Sequence, residues 1–310
     1  MRRTVQYVAM TKDERNEADG CFSAACWISL QGQVMLLYRV ITAIVVIPLL
    51  TAAIIWGGDA VFLALVLGFG GAGLYEFLRA ALPADRGVQK ALGIMLGLFI
   101  LCCVFAESRS LQAGPGNGSY LILAGCTISF VVLFVYSILS SRETASAVSQ
   151  MTLTVFGVFY VSLFFSYLLL IHAGASGPAL VLFLLCVTWG GDAAAYFVGT
   201  WKGRHPLCPR ISPKKTIEGA AGGLLGGMVT ALLCHYLFLK SPTMLACVAA
   251  GAGINVMNQL GDTSESLLKR AFGIKDSGTL FPGHGGVLDR IDSVLFAAPF
   301  FYYWVQIAFP

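Results

Sequence analysis

Long apolar runs, each about the length that crosses a bilayer, constrain this chain more than any other feature. A spanning helix needs about 20 predominantly apolar residues. Nine candidates fit, at 40–56, 60–78, 91–106, 120–139, 151–171, 179–199, 217–239, 243–260 and 293–309. Only 12% of the 310 residues are charged, against about 25% in an ordinary soluble domain. A chain so poor in charge cannot cover a water-exposed surface, so lipid must cover much of it. The 35 glycines suit helices that approach closely inside a membrane. The expected architecture is therefore all-α and polytopic, with about nine transmembrane helices. The turn at Gly57-Gly58 is tight enough to make the first two a hairpin.

The basic residues then set the expected orientation. Arg2, Arg3, Lys12 and Arg15 precede the first span, and Arg39 opens it. Arg79, Arg86, Lys90, Arg142, Lys202, Arg204, Arg210, Lys214, Lys215, Lys269, Arg270, Lys275 and Arg290 all fall on the same side as that tail. Of the 20 Lys and Arg, only Arg109 and Lys240 fall opposite. The positive-inside rule makes the basic side cytoplasmic and the C-terminus external. Residues 1–33 form a mixed-charge cytoplasmic tail, and Asp13, Glu14, Glu17 and Asp19 argue against a transit peptide. Residues 34–310 form the membrane domain, its polar chemistry concentrated in 189–292. The nine cysteines sit mostly in apolar runs, without metal-site spacing, and read as small packing residues.

Three polar clusters interrupt the apolar pattern, all on the basic side. Asp192 lies in Trp-Gly-Gly-Asp-Ala-Ala-Ala-Tyr-Phe. A carboxylate within a span costs a few kcal/mol, so it pairs with a cation or lines a wet cavity. Ile211-Ser-Pro-Lys-Lys-Thr-Ile-Glu-Gly219 follows. Ser212 with Pro213 reads as a helix start. Lys214 and Lys215 would then oppose the helix dipole in the first turn, a conflict that a bound anion such as phosphate removes. A basic loop that merely obeys the orientation rule is the plainer alternative.

The third cluster is the densest. Asp262, Ser264, Ser266, Lys269 and Arg270 leave the eighth span, and Asp289, Arg290 and Asp292 lead into the ninth. Between them, Pro282-Gly-His284-Gly-Gly286 supplies backbone that wraps closely around a ligand. If those two helices pack together, Asp262 and Asp289 face one volume, and one or two carboxylates with substrate phosphates is how Mg²⁺ is commonly held. For His284, a structural hydrogen bond and a catalytic role are equally open. Glu76 and Arg39, near span ends, read as structural ion-pair residues outside the site. These residues describe a membrane enzyme or transporter for a phosphorylated, metal-bound ligand.

The run Ser266-x-Leu-Lys-Arg-x4-Lys-Asp-x-Gly-x2-Phe-Pro-x-His-Gly-Gly-Val-x-Asp-Arg-Ile-Asp292 resembles the signature of phosphatidate cytidylyltransferases. Ser212-Pro-Lys-Lys-Thr-x-Glu-Gly219, Asp192 with Ala195-Tyr196-Phe197, and Arg39-Val-Ile-Thr-Ala resemble further hallmarks of that family. The resemblance runs from about Arg39 to Asp292. It implies the reaction CTP + phosphatidate → CDP-diacylglycerol + pyrophosphate, with membrane lipid as the medium and no nucleic-acid partner. By that analogy Asp262 and Asp289 hold Mg²⁺, with room for a second cation. Lys269 and Arg290 join them as catalytic groups. Ser212, Lys214, Lys215, Asp192, Ser264, Ser266, Arg270 and His284 contact substrate. A homodimer is a family-level expectation. A CTP-dependent polyprenol or dolichol kinase shares only parts of the pattern. An anionic-solute transporter would carry midplane charges and symmetric halves, which are absent here.

Overall fold

A computed structural model describes residues 46–112, 120–140, 144–278 and 285–309 of the chain. The chain divides into two compact units, Met1–Leu50 and Thr51–Pro310. Of the first unit, only residues 46–50 are described, as part of a helix. The expected tail, Arg39, Arg142 and His284 lie outside the described residues.

Among the described residues, nine helices follow in order: α1 Val46–Trp56, α2 Gly58–Ala81, α3 Gly87–Gln112, α4 Leu121–Ser140, α5 Thr144–His172, α6 Gly177–Lys202, α7 Ile217–Leu237, α8 Met244–Ala271 and α9 Leu288–Ala308. Eight are long and apolar enough to cross a membrane, and α1 is a shorter apolar helix. The expected nine spans thus correspond one to one with nine helices, the first only in its described half. The α1–α2 turn is the tight one read from the sequence: Gly57 N–H donates to Ala53 O, and Gly58 takes φ 66°, which a side chain would disfavour.

Apolar residues are spent in two directions. Phe77, Phe183, Leu295 and Phe301 are fully buried between helices, with the Phe183 and Phe301 rings stacked 5.3 Å apart. Trp56, Leu123, Ile138, Leu139, Leu245 and Ile307 remain exposed on the outside. Water does not tolerate an apolar exterior on this scale, whereas acyl chains do. The protein is an integral membrane protein.

The closest helix pair is α6 with α7, and small residues make it close. A Cβ on Gly222 would strike Val198, one on Gly226 would strike Ala194, and one on Gly190 would strike Thr230. Partners at these levels sum to a constant, so the two helices run antiparallel in a fixed register. Close backbone approach of this kind is how membrane helices gain dispersion energy where lipid removes the hydrophobic incentive.

At one end of the helix array, Asp59 of α2 binds both Arg109 of α3 and, at 3.4 Å, His172 of α5. Glu107 there accepts from the Ile122 N–H of α4 at 2.7 Å. The strongly basic connections occupy the other end. Four helix termini meeting at one end is what strict up-and-down alternation requires.

Three local expectations are corrected. Ser212–Thr216 is not the start of a helix: it is a strand, β2, paired antiparallel with β1 at Pro206–Cys208. Helix α7 begins four residues later, capped by Thr216, whose hydroxyl accepts from Gly219 N–H at 3.1 Å. Lys214 and Lys215 therefore ride on a hairpin, and their conflict with a helix dipole does not arise. Second, α8 runs eleven residues beyond the span expected to end at 260. Third, α9 starts at Leu288 rather than 293. Hydropathy alone ends a span where charge begins, but charged side chains that pair across helices let the helix continue.

Candidate active site

Helix extension puts the acidic and basic residues on ordered faces. Asn258, Asp262, Glu265 and Lys269 recur on α8 at spacings of four, three and four, which is one helical stripe. Asp289 and Asp292 share a face of α9 by the same rule. The two helices pack tightly, because Gly261 offers no side chain where the Asp292 carbonyl and Ser293 approach it.

Two lysines organise the carboxylates. Lys215, from β2, reaches Asp262 Oδ2 at 2.8 Å and donates to Thr263 Oγ1 at 3.1 Å. Lys269 bridges Glu265 of its own helix and Asp289 Oδ1 of α9, the latter at 2.7 Å. Asp289 Oδ2 accepts from the Gly286 N–H at 2.8 Å and the Ser277 N–H at 3.2 Å. Asp292 is almost wholly buried at 7% exposure, accepts from the Ser293 N–H, and feels the charges of Asp262, Asp192 and Lys269. Asp192 on α6 accepts a 2.7 Å bond from the Asn258 amide. Among the described residues it is thus held by a neutral amide, with no ion pair to a cation.

The remaining expected residues surround this cluster at varying distance. Ser266 lies on the Asp262–Lys269 face of α8, while Ser264 lies about two-fifths of a turn away by helical geometry. Ser212 is half-buried and Lys214 exposed on the hairpin. Arg270 donates from Nε to Ile211 O, tying α8 to that hairpin. Arg290 is exposed on the first turn of α9.

Four residues of the cluster escaped the sequence reading. Glu265 and Asn258 carry the helical spacing that would have found them. Tyr160 sits at 5% exposure in a π-helical stretch of α5, Val158–Leu163, within electrostatic reach of Asp292, Glu265 and Asp262. Such π segments recur at functional sites, but no sequence signal marks this one. Glu76 is not an ion-pair residue among the described residues. Its Oε2 accepts from Ser277 Oγ at 3.0 Å and Leu288 N–H at 2.9 Å.

Five carboxyl groups (Asp192, Asp262, Glu265, Asp289 and Asp292) thus gather around two ammonium groups. Glu265 Oε1, Asn258 Oδ1, Asn255 Nδ2 and the Tyr160 hydroxyl are buried without a hydrogen-bond partner among the described residues. Surplus buried negative charge and orphaned polar atoms call for a cation or water. No three carboxylate, imidazole or thiol groups among the described residues are arranged to hold a metal by themselves. Carboxylate oxygens taken singly or in pairs are the donors that Mg²⁺ uses, with phosphates and water filling the rest of its shell.

A model of the cytidylyltransferase family matches residues 37–308. The phosphatidate cytidylyltransferase of Bacillus subtilis is 32% identical over 248 residues, covering 79% of this chain and 89% of its own length. That of Haemophilus influenzae is 31% identical over 295 residues, covering 87% and 98%. That of Synechocystis is 28% identical over 303 residues, covering 88% and 97%. Taken with a polar cluster at the ends of α7, α8 and α9 that carries the family's signature residues, these matches place the chain in the cytidylyltransferase family.

Proposed function

We propose that the protein transfers the cytidylyl group of CTP to phosphatidate, forming CDP-diacylglycerol and pyrophosphate, at the cytoplasmic face of its membrane. The observation that carries the reading is the single charged cluster joining β2, α8 and α9 at the basic end of the spans. Phosphatidate keeps its acyl chains in lipid, so its phosphate and soluble CTP meet only where spans end. The positive-inside rule makes that end cytoplasmic.

The phosphate oxygen of phosphatidate attacks the α-phosphorus of CTP, and the bond to the β-phosphate oxygen breaks as pyrophosphate leaves. A phosphate monoester is largely ionised near neutral pH, so no strong general base is needed. Alignment and charge neutralisation supply the catalysis. Lys214 and Lys215 on the hairpin, Arg270 beside it, and Arg290 on the first turn of α9 meet the phosphates. Lys269 fixes Asp289 from one side while two backbone amides fix it from the other. Asp262 and Asp289 would hold Mg²⁺, which would supply positive charge to the phosphates as charge builds on the leaving group. Ser212, Ser264, Ser266 and Asp192 complete the contacts around the substrate. By the same resemblance, two copies of the chain would form the working unit.

The test uses purified protein in detergent with phosphatidate, Mg²⁺ and α-labelled CTP. Label in a CDP-lipid, lost with EDTA and with Asp289→Asn, is the expected outcome. Absence of that product, with γ-label moving to a polyprenol instead, would replace the reading with a lipid kinase.

A further inference from the structure

We propose that Glu76 is a positioning residue for Asp289: its carboxylate ties shut the neck of the connection between α8 and α9, and so aims the backbone donors that hold Asp289. The inference rests on reading Asp289 as part of the active site.

Glu76 belongs to α2, 201 residues from Ser277 and 212 from Leu288 in sequence. One of its oxygens, Oε2, binds the chain leaving α8, through Ser277 Oγ, and the chain entering α9, through Leu288 N–H. One oxygen of Asp289, Oδ2, spans the same two stretches through the N–H groups of Ser277 and Gly286. Ser277 is common to both ties, its hydroxyl on Glu76 and its amide on Asp289. The neck is thus closed twice, once by each carboxylate.

The neighbouring glycines are shaped to this arrangement. A Cβ on Gly278 would strike Glu76 Oε1, and a Cβ on Gly286 would strike both Ser277 Oγ and Glu76 Oε2. Glu76 is only 5% exposed. Among the described residues its hydrogen-bond partners are neutral donors rather than a lysine or arginine. Burying a carboxylate is costly, and packing alone would be served better by an apolar side chain. What a carboxylate adds is an acceptor strong enough to hold two donors on one oxygen. Closing a loop also costs chain entropy, and this tie offsets it from a helix outside the loop. Without Glu76, Ser277 is released, Asp289 loses one of its two amide donors, and Lys269 holds it mainly from the other side.

The experiment compares steady-state CTP–phosphatidate transfer for wild type, Glu76→Gln, Glu76→Leu, Ser277→Ala and the Glu76→Leu/Ser277→Ala pair. Hydrogen exchange is followed in parallel. Glu76→Leu is expected to lower kcat roughly 100-fold, as a misplacement of about 1 Å does, with KM for CTP within about twofold. Glu76→Gln, which keeps an acceptor oxygen, restores most of kcat. The pair is no slower than Glu76→Leu alone, because both changes cut one tie. Exchange rises in peptides covering 277–289 and stays unchanged in α3 and α6. Should Glu76→Leu fail to fold, Ser277→Ala alone is expected to lower kcat about tenfold with an unchanged melting temperature, an order typical of misaligned catalytic groups. A wild-type rate in Glu76→Leu or Ser277→Ala would overturn the proposal, as would fully additive losses or exchange rising throughout the helices. Asp289→Asn turning over at the wild-type rate would instead overturn the site reading. It is recognisable because the Glu76 variants would then alter exchange but not rate.

Discussion

Lys269 shows how much one side chain can hold here. Its ammonium is the shared counter-charge of Glu265, 2% exposed, and Asp289, 15% exposed. Removing one partner of a buried pair costs about 3–5 kcal/mol, because the other charge is left without compensation. Lys269→Met is therefore expected to lower the melting temperature in detergent and to abolish turnover. Adding Glu265→Gln removes one of the stranded charges, so the double variant should regain part of the melting temperature and none of the activity. Equal recovery of both would show that Lys269 serves folding alone. Asn258 acts on the same principle at lower stakes. Asn258→Leu strands the Asp192 carboxylate and should cost about 1–3 kcal/mol, the penalty of an unsatisfied buried group, as read by thermal unfolding.

At the scale of elements, the α6–α7 register is the feature most open to test. Val198 meets Gly222, Ala194 meets Gly226 and Gly190 meets Thr230. One turn further, the same register sets Cys186 against Cys234, and the two thiols are within hydrogen-bonding reach. Mild oxidation with copper phenanthroline should therefore join these two cysteines, and mass spectrometry of the digested protein should recover that cross-link. Recovery of Cys186 joined to a cysteine other than Cys234, such as Cys247, in preference to it would disprove the register. A bulkier probe is Gly226→Val, whose side chain would strike Ala194. Overpacking of this kind costs about 1–3 kcal/mol, visible as a lower melting temperature. Because α6 carries Asp192 and α7 begins at the lysine hairpin, this pairing is also what brings the hairpin to α8.

For the whole molecule, the two ends of the helix array differ in chemistry. One end collects Lys215, Lys269 and five carboxylates, while the other is stitched by Asp59, Arg109 and His172. Alternation of nine spans, with the basic end taken as cytoplasmic, predicts a C-terminus outside. A reporter fused after residue 310 that is active only on the external side is the expected result, and a cytoplasmic signal would overturn the alternation. Asp59→Arg with Arg109→Asp should keep more folded protein than either single change, as judged by gel filtration in detergent, if the external stitch holds α2 to α3.

The sequence by itself determined that the chain is a membrane protein, roughly where its helices lie, and which end gathers the basic side chains. Those properties follow from run lengths and charge placement, which are additive along the chain and need no knowledge of partners. The signature residues were legible for a related reason: Asp262, Lys269 and Asp289 are charges in a setting where charge is expensive. Only the tertiary structure decided how far α8 and α9 extend, because a helix continues past its apolar core only when its charges find partners on other helices. It alone turned Ser212–Thr216 from a helix start into a strand, since β1 had to be present for β2 to pair. And it alone moved Glu76 from a bystander to the neck of the α8–α9 connection, because two donors more than 200 residues away become neighbours only through packing.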